Sequence, residues 1–183
     1  MDLTIHTTAN APAQSKALLE GIAEDLGFVP NLAGAVAASP ALLAGFDGLR
    51  RAVGGAELDP VLRETAGVAV GVAVDNRYGV AFHSTVLAGL GVSDGQIERM
   101  RSGDEPADAR GGAVYALARE LVLGRGKVAD GIIGRATEAG LSAGEILDVV
   151  VECTFAGLVG TVDNIAGRVP LDDFLKPRKW ESR

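Results

Sequence analysis

The sequence predicts an all-α fold, a compact bundle of roughly eight helices. Three observations carry this: apolar residues recur at helical spacing along most of the chain, start signals of the Ser-Pro, Asp-Pro and Ser-x-x-Gln/Glu kind precede those runs, and glycines follow them. The chain has 183 residues, a length that fits one domain. Within it the pattern suggests a helical N-terminal part at about 14–56, a core at about 57–168 and a tail at 169–183.

Taken in order, Leu18, Leu19, Ile22 and Leu26 form one apolar stripe that stops at Gly27. Ser39-Pro40 opens a second helical region and Asp59-Pro60 a third. In the third, Val68, Val70, Val72 and Val74 alternate with Ala69, Gly71 and Ala73, a strand period written in β-branched residues. Helix is preferred because Pro60 starts a run of about 15 residues with no turn signal, and small residues on one face let another helix approach closely. Asp75 or Asn76 can cap the helix that follows. Ser93 with Gln96 and Ser142 with Glu145 read as capping boxes. A shift of 49 residues lays Gly91, Ser93, Gly95 and Ile97 on Gly140, Ser142, Gly144 and Ile146, which predicts an internal two-unit repeat. The polar stretch 101–112 reads as a surface loop, His6 falls in an expected frayed end, and KPRKWESR reads as an arm or partner contact.

Composition excludes several function classes. Seventeen basic against 24 acidic residues give a net charge of −7, so the basic footprint of a nucleic-acid binder is missing. Cys153 is the single cysteine, so the chain can form no internal disulfide, and a reducing compartment is expected. The N-terminus shows no basic-then-apolar leader, and every apolar run is far shorter than a membrane span, so the expectation is a soluble, cytoplasmic protein with no membrane partner. His6 and His83 cannot form a zinc-binding pair at i and i+4, the glycines build no phosphate loop, and the serines lack a nucleophile-elbow context. No metal and no cofactor are expected. The expected partner is a small molecule.

The stretch DNRYGVAFH, Asp75 to His83, carries the candidate chemistry. Asn76, Gly79 and His83 share one helix face at i, i+3 and i+7. Glu64 stands twelve residues before Asn76, the remainder of one helix plus a short turn, after which the chain runs back. Seven residues then return His83 to the level of Glu64. A histidine titrating near neutrality beside a carboxylate can move protons on a small molecule. Arg77 is a candidate contact for a substrate carboxylate, and Tyr78 with Phe82, at i and i+4, a candidate aromatic wall. The bland alternatives are a satisfied core histidine, a Glu64 paired with Arg63, a solvated Arg77 and plain packing of the two rings.

From Arg63-Glu64 through His83 to GLGVSDGQIERM, the chain resembles the alkylhydroperoxidase and carboxymuconolactone decarboxylase-like superfamily. The resemblance extends to GFVPNLAGAVAASPALLAGF and GLSAGEILDVVVECTFAGLVGTVDNIAGRV. In the peroxidase branch a glutamate is followed twelve residues later by a cysteine, three later by a second cysteine and four later by a histidine. Glu64, Asn76, Gly79 and His83 stand at those intervals, so the outer two match and both cysteines are replaced. A cysteine at a helix N-terminus gains thiolate character and a partner one turn on resolves its oxidised form. Asn76 and Gly79 do neither. Cys153 lies in an apolar run and reads as an inert core cysteine.

The resemblance therefore implies cysteine-independent acid–base chemistry on a small carboxylate or lactone, with Glu64 and His83 catalytic and Asn76, Arg77, Tyr78, Gly79 and Phe82 around the substrate. One alternative is a non-catalytic ligand-binding or assembly protein on the same fold. A second is alkylhydroperoxidase-type, peroxiredoxin-like activity through Cys153. The resemblance also implies a homo-oligomer, a trimer or hexamer.

Overall fold

The computed structural model describes residues 1–182. Among them are nine α-helices, one 3-10 helix and no strand: α1 (Ala13–Leu26), α2 (Asn31–Val36), α3 (Pro40–Gly54), α4 (Pro60–Ala73), α5 (Arg77–Gly89), α6 (Asp94–Arg101), α7 (Ala109–Leu123), α8 (Ile132–Glu138), α9 (Ala143–Ile165) and the 3-10 helix Asp173–Arg178. The all-α architecture is as the periodicity predicts, and the Val68–Val74 alternation is helical within α4 up to its cap at Val74.

The start signals act as their chemistry requires. Ser39 accepts from the Leu42 amide at 3.3 Å and Asp59 from the Val61 amide at 2.9 Å, each followed by a proline that has no amide to satisfy. Ser142 and Glu145 form a complete capping box, with bonds of 3.1 and 2.8 Å. Ser93 caps α6 from its hydroxyl alone. Gly91 and Gly140 both take left-handed φ, +87° and +85°, so the two turns are one device. The likeness stops there: α6 has 8 residues and α9 has 23.

The short α2 lies inside the N-terminal part read as helical, although its apolar residues, Leu32 to Val36, are buried on every side and carry no period of their own. Three sequence expectations are corrected. The N-terminal end is seated on α2: the His6 amide donates to Gly34 O at 3.1 Å, where a side chain at position 34 would overlap the His6 carbonyl. The polar stretch is a loop only to Asp108, whose carboxylate accepts from the Gly111 amide at 2.7 Å and starts α7. The tail packs on its own chain. Leu175 is fully buried, and the Trp180 indole donates to Arg101 O at 3.1 Å.

Two hydrophobic clusters result. One joins α4, α7 and the first half of α9 through Leu62, Val68, Val70, Leu117 and Val149. The other joins α1, α2 and α3 to α5, the second half of α9 and the tail through Leu19, Leu43, Phe46, Tyr78 and Val159. At their seam α4 and α5 run antiparallel at close approach, because Gly67 faces His83 and Gly71 faces Val80. A Cβ at either glycine would overlap the facing side chain. Among the described residues no helix is long and apolar enough to cross a membrane.

Candidate functional site

The turn between α4 and α5 sets the site. Asp75 takes a left-handed φ of +52°, held by ion pairing of its side chain with Arg168. Asn76 then caps α5, its Oδ1 accepting from the Gly79 amide at 2.8 Å while its Nδ2 donates to Ala156 O at 3.4 Å on α9. The buried Asp163 of α9 accepts from the amides of Arg77 at 3.1 Å and Val169 at 2.8 Å. These bonds fix the start of α5, so the orientation of His83 two turns on is fixed with it.

His83 Nδ1 lies 2.8 Å from Glu64 Oε2, and its Nε2 lies 3.6 Å from Glu152 Oε1. Behind Glu64, Arg63 Nε donates to Oε1 at 3.2 Å and its Nη1 to Val53 O at 3.3 Å. All three members of the cluster are buried. Burial alone would raise the Glu64 pKa, yet the bond to His83 and the charges of His83 and Arg63 outweigh it and hold the carboxyl below its ordinary range. For His83 burial pulls down, while the bond and charge of Glu64 and then the charge of Glu152 pull its pKa above the ordinary value. Each member of the pair thus favours the charged form of the other. Such a pair is strongly coupled because little water screens it.

His83, Tyr78, Gly79 and Phe82 face a cavity of about 280 Å³, near the lower end of the roughly 300–1,000 Å³ of small-molecule pockets. All five phenylalanines of the chain line it: Phe28, Phe46, Phe82, Phe155 and Phe174. Phe82 meets the His83 ring edge-on at 5.4 Å, and Phe28 meets Phe174 of the tail edge-on at 5.5 Å. Tyr78 donates a short hydrogen bond to Asp172, which also accepts from the Asn31 amide at 3.1 Å. Burial, then Asp172, pushes the Tyr78 phenol well above its ordinary range. Arg50 is the one guanidinium in the wall, and it is held by Asp25 at 2.6 Å and Asp47 at 2.7 Å.

The other sequence candidates divide. Asn76 is buried as a cap and does not face the cavity. Arg77, the first residue of α5, is half-exposed near Asp75 and also lies outside the cavity wall. Cys153 is 8 % exposed, its thiol turned toward Ala118 O at 3.7 Å, and it too is outside the wall. Burial, then the charge of Glu152, pushes that thiol up to about 12. Sequence reasoning missed Glu152 and the dispersed phenylalanines. The available signal for Glu152 was a lone carboxylate inside VVVECTFAGLVG. Among the described residues no group of His, Cys, Asp and Glu has the makings of a metal site.

Comparison with known proteins places this geometry. Residues 40–120 match the model of the carboxymuconolactone decarboxylase family. No curated protein sequence matches the chain. Among solved structures it is similar to a peroxidase-related protein from Silicibacter sp. TM1040, with 20 % identity over 96 % of this chain and 93 % of that one and a TM-score of 0.77. An alkylhydroperoxidase AhpD-core protein from Ralstonia eutropha JMP134 gives 20 % identity over 93 % and 92 %, with a TM-score of 0.72. The debrominase Bmp8, as a cysteine-to-alanine variant in complex with 2,3,4-tribromopyrrole, gives 15 % identity over 96 % and 94 %, with a TM-score of 0.76. At these identities the structural likeness speaks for the fold. Residues 40–120 thus resemble the carboxymuconolactone decarboxylase family, the chain as a whole shares the fold of the alkylhydroperoxidase-like structures, and it carries a single cysteine.

Proposed function

We propose that the protein is a cysteine-independent acid–base catalyst acting on a small, largely apolar ring compound, with His83 as the group that moves the proton. The observation that carries this is an imidazole held by a carboxylate at the wall of a cavity otherwise built from the chain's phenylalanines. Glu64 keeps a proton on Nδ1 and fixes the ring, so Nε2 is the nitrogen free to exchange a proton with a ligand. The apolar wall excludes water and makes the charge change at His83 felt by whatever lies beside it.

The same wall narrows the substrate. A lactone suits it better than a free carboxylate, because Arg77 lies outside it and Arg50 is already neutralised by two aspartates. That a debrominase of this fold binds 2,3,4-tribromopyrrole supports a ring of that size class. Thiol peroxidation through Cys153 is disfavoured because that thiol is not part of the wall and its pKa is raised.

The test is deuterium wash-in followed by NMR, with a panel of small lactones and enolisable ring ketones in D₂O. Exchange that requires both His83 and Glu64 is expected. Ligands that bind tightly and never exchange would instead establish the non-catalytic binding protein. Assembly is part of the proposal: α9 leaves Leu147 (65 % exposed), Val150 and Ile165 along one side, a stripe suited to a second copy. Light scattering is expected to report a trimer or hexamer, and a monomer at micromolar concentration would end that part of it.

A further inference from the structure

Glu152 takes no part in the chemistry above, yet it is the most deeply buried carboxylate at the site, 2 % exposed. It sits on α9 one turn before Ala156 of the cavity wall. Its Oε1 has no hydrogen-bond partner among the described residues and lies 3.6 Å from His83 Nε2. A buried carboxyl oxygen without a partner destabilises a fold, so its position opposite the mobile nitrogen asks for a reason. The ring itself has little freedom to turn away. Gly67 packs against one face so closely that a Cβ there would overlap it, and Phe82 meets its edge.

We propose that Glu152 is a positioning residue for the proton of His83, the third member of a Glu64–His83–Glu152 relay that holds the Nε2 proton when the ring gives it up and returns it afterwards. In the step, the Nε2–H bond breaks and its electron pair stays on nitrogen, while an O–H bond forms at Glu152 Oε1. Imidazolium plus carboxylate becomes neutral imidazole plus carboxylic acid, and nothing is oxidised or reduced. Nδ1 keeps its proton throughout, because the Glu64 carboxylate at 2.8 Å accepts it. The groups that bear on this proton are Arg63 and Glu64 from α4, His83 from α5, and Glu152 with Cys153 from α9; the thiol turns away toward α7. Burial raises the Glu152 pKa, against the pull of His83 and with the push of the Glu64 charge. The Glu64 bond and charge raise that of His83. Both shifts favour the protonated form of the group concerned.

The inference rests on reading His83 as the proton-transfer group, and its test separates the two. With only two histidines in the chain, a His6→Gln background leaves one imidazole signal in nitrogen-edited NMR. In Glu152→Gln the His83 titration is expected to move to lower pH, since a negative charge beside Nε2 is lost, while the Nδ1 proton signal persists. In Glu64→Gln the titration is also expected to fall, and the Nδ1 proton signal is lost. A His83 titration unmoved by Glu152→Gln overturns the relay and leaves the Glu64–His83 pair standing. One unmoved by Glu64→Gln overturns the pair instead. A wild-type measurement guards against a variant that does not fold: the Glu152 side-chain carbon should shift in step with the His83 ring, and two independent, unmirrored steps would refute the relay.

Discussion

The two hydrophobic clusters are built from different residues and end in different states. The cluster of α4, α7 and α9 is made of Val, Ala, Leu, Ile and Met with Cys153, and Tyr115 is its one buried aromatic among the described residues. Short aliphatic side chains on helices with small residues interdigitate, and the large cavity does not lie among them. The cluster under the N-terminal helices and tail uses Phe46, Phe155 and Tyr78, and the helices that carry them surround a cavity. Flat rings pack edge to face, so a ring of them can line a void that still presents carbon on every side. His83 lies between the two, its neighbours Gly67 on one side and the cavity on the other. The aliphatic core and the cavity thus occupy separate volumes of the fold, and the proposed chemistry falls in the second.

The strongest test of that separation is His83→Gln. On a substrate that turns over, the rate is expected to fall by roughly 10²–10⁴, while the melting temperature changes little by comparison. An equal loss in both would mean that the seam is structural. Next comes a paired truncation, one in each cluster. Leu117→Ala, at a fully buried site of the closed cluster, is expected to cost about 2–5 kcal/mol in denaturant unfolding. Phe82→Ala, 37 % exposed at the open one, is expected to cost about 1 kcal/mol and to weaken ligand binding. Equal costs would erase the contrast.

Gly67→Ala acts on the boundary itself. Its methyl group would overlap the His83 ring, and opening the α4–α5 contact is expected to cost about 1–3 kcal/mol and to break the bond to Glu64, visible as loss of the Nδ1 proton signal. The smallest effect concerns pH. The His83 pKa is raised by folding, so its contribution is full below its unfolded value near 6.5 and is lost as pH rises through the folded value. That of Glu64 is lowered, so its contribution is full above about 4.3 and is lost as pH falls through the folded value. Glu152 adds a slope of its own: with a raised pKa, it makes folding less favourable as pH climbs from about 4.3 to its folded value. Melting temperature should therefore decline toward alkaline pH, and His83→Gln should flatten the decline above about 6.5.

Local chemistry was readable in the sequence and convergence was not. Ser39, Asp59, Ser93 and Ser142 announce helix starts because a cap is satisfied within four residues. The approach of His83 to Glu64 follows from counting along two helices and one turn, a short-range matter of rise per residue. The five phenylalanines are spread from position 28 to position 174, and nothing in their spacing says that they meet. Glu152 is 69 residues beyond His83, and its partner is set by how α9 crosses the helix pair. Arg77 is near the site in sequence, but as the first residue of α5 it stands outside the cavity wall, with Asp75 near it. The stretch KPRKWESR reads as an arm or partner contact because its charges mask Trp180, which together with Leu175 just before it anchors the tail.

The gathering of every phenylalanine around one void has a spectroscopic consequence. Biosynthetic replacement with 4-fluorophenylalanine would place five fluorine labels, all at the wall of the cavity and none elsewhere. The one tryptophan, Trp180, sits apart in the docked tail, so its fluorescence follows the docking of that segment separately. A fluorine spectrum of this chain is in effect a spectrum of that void, and a small molecule that enters it is expected to perturb the signals.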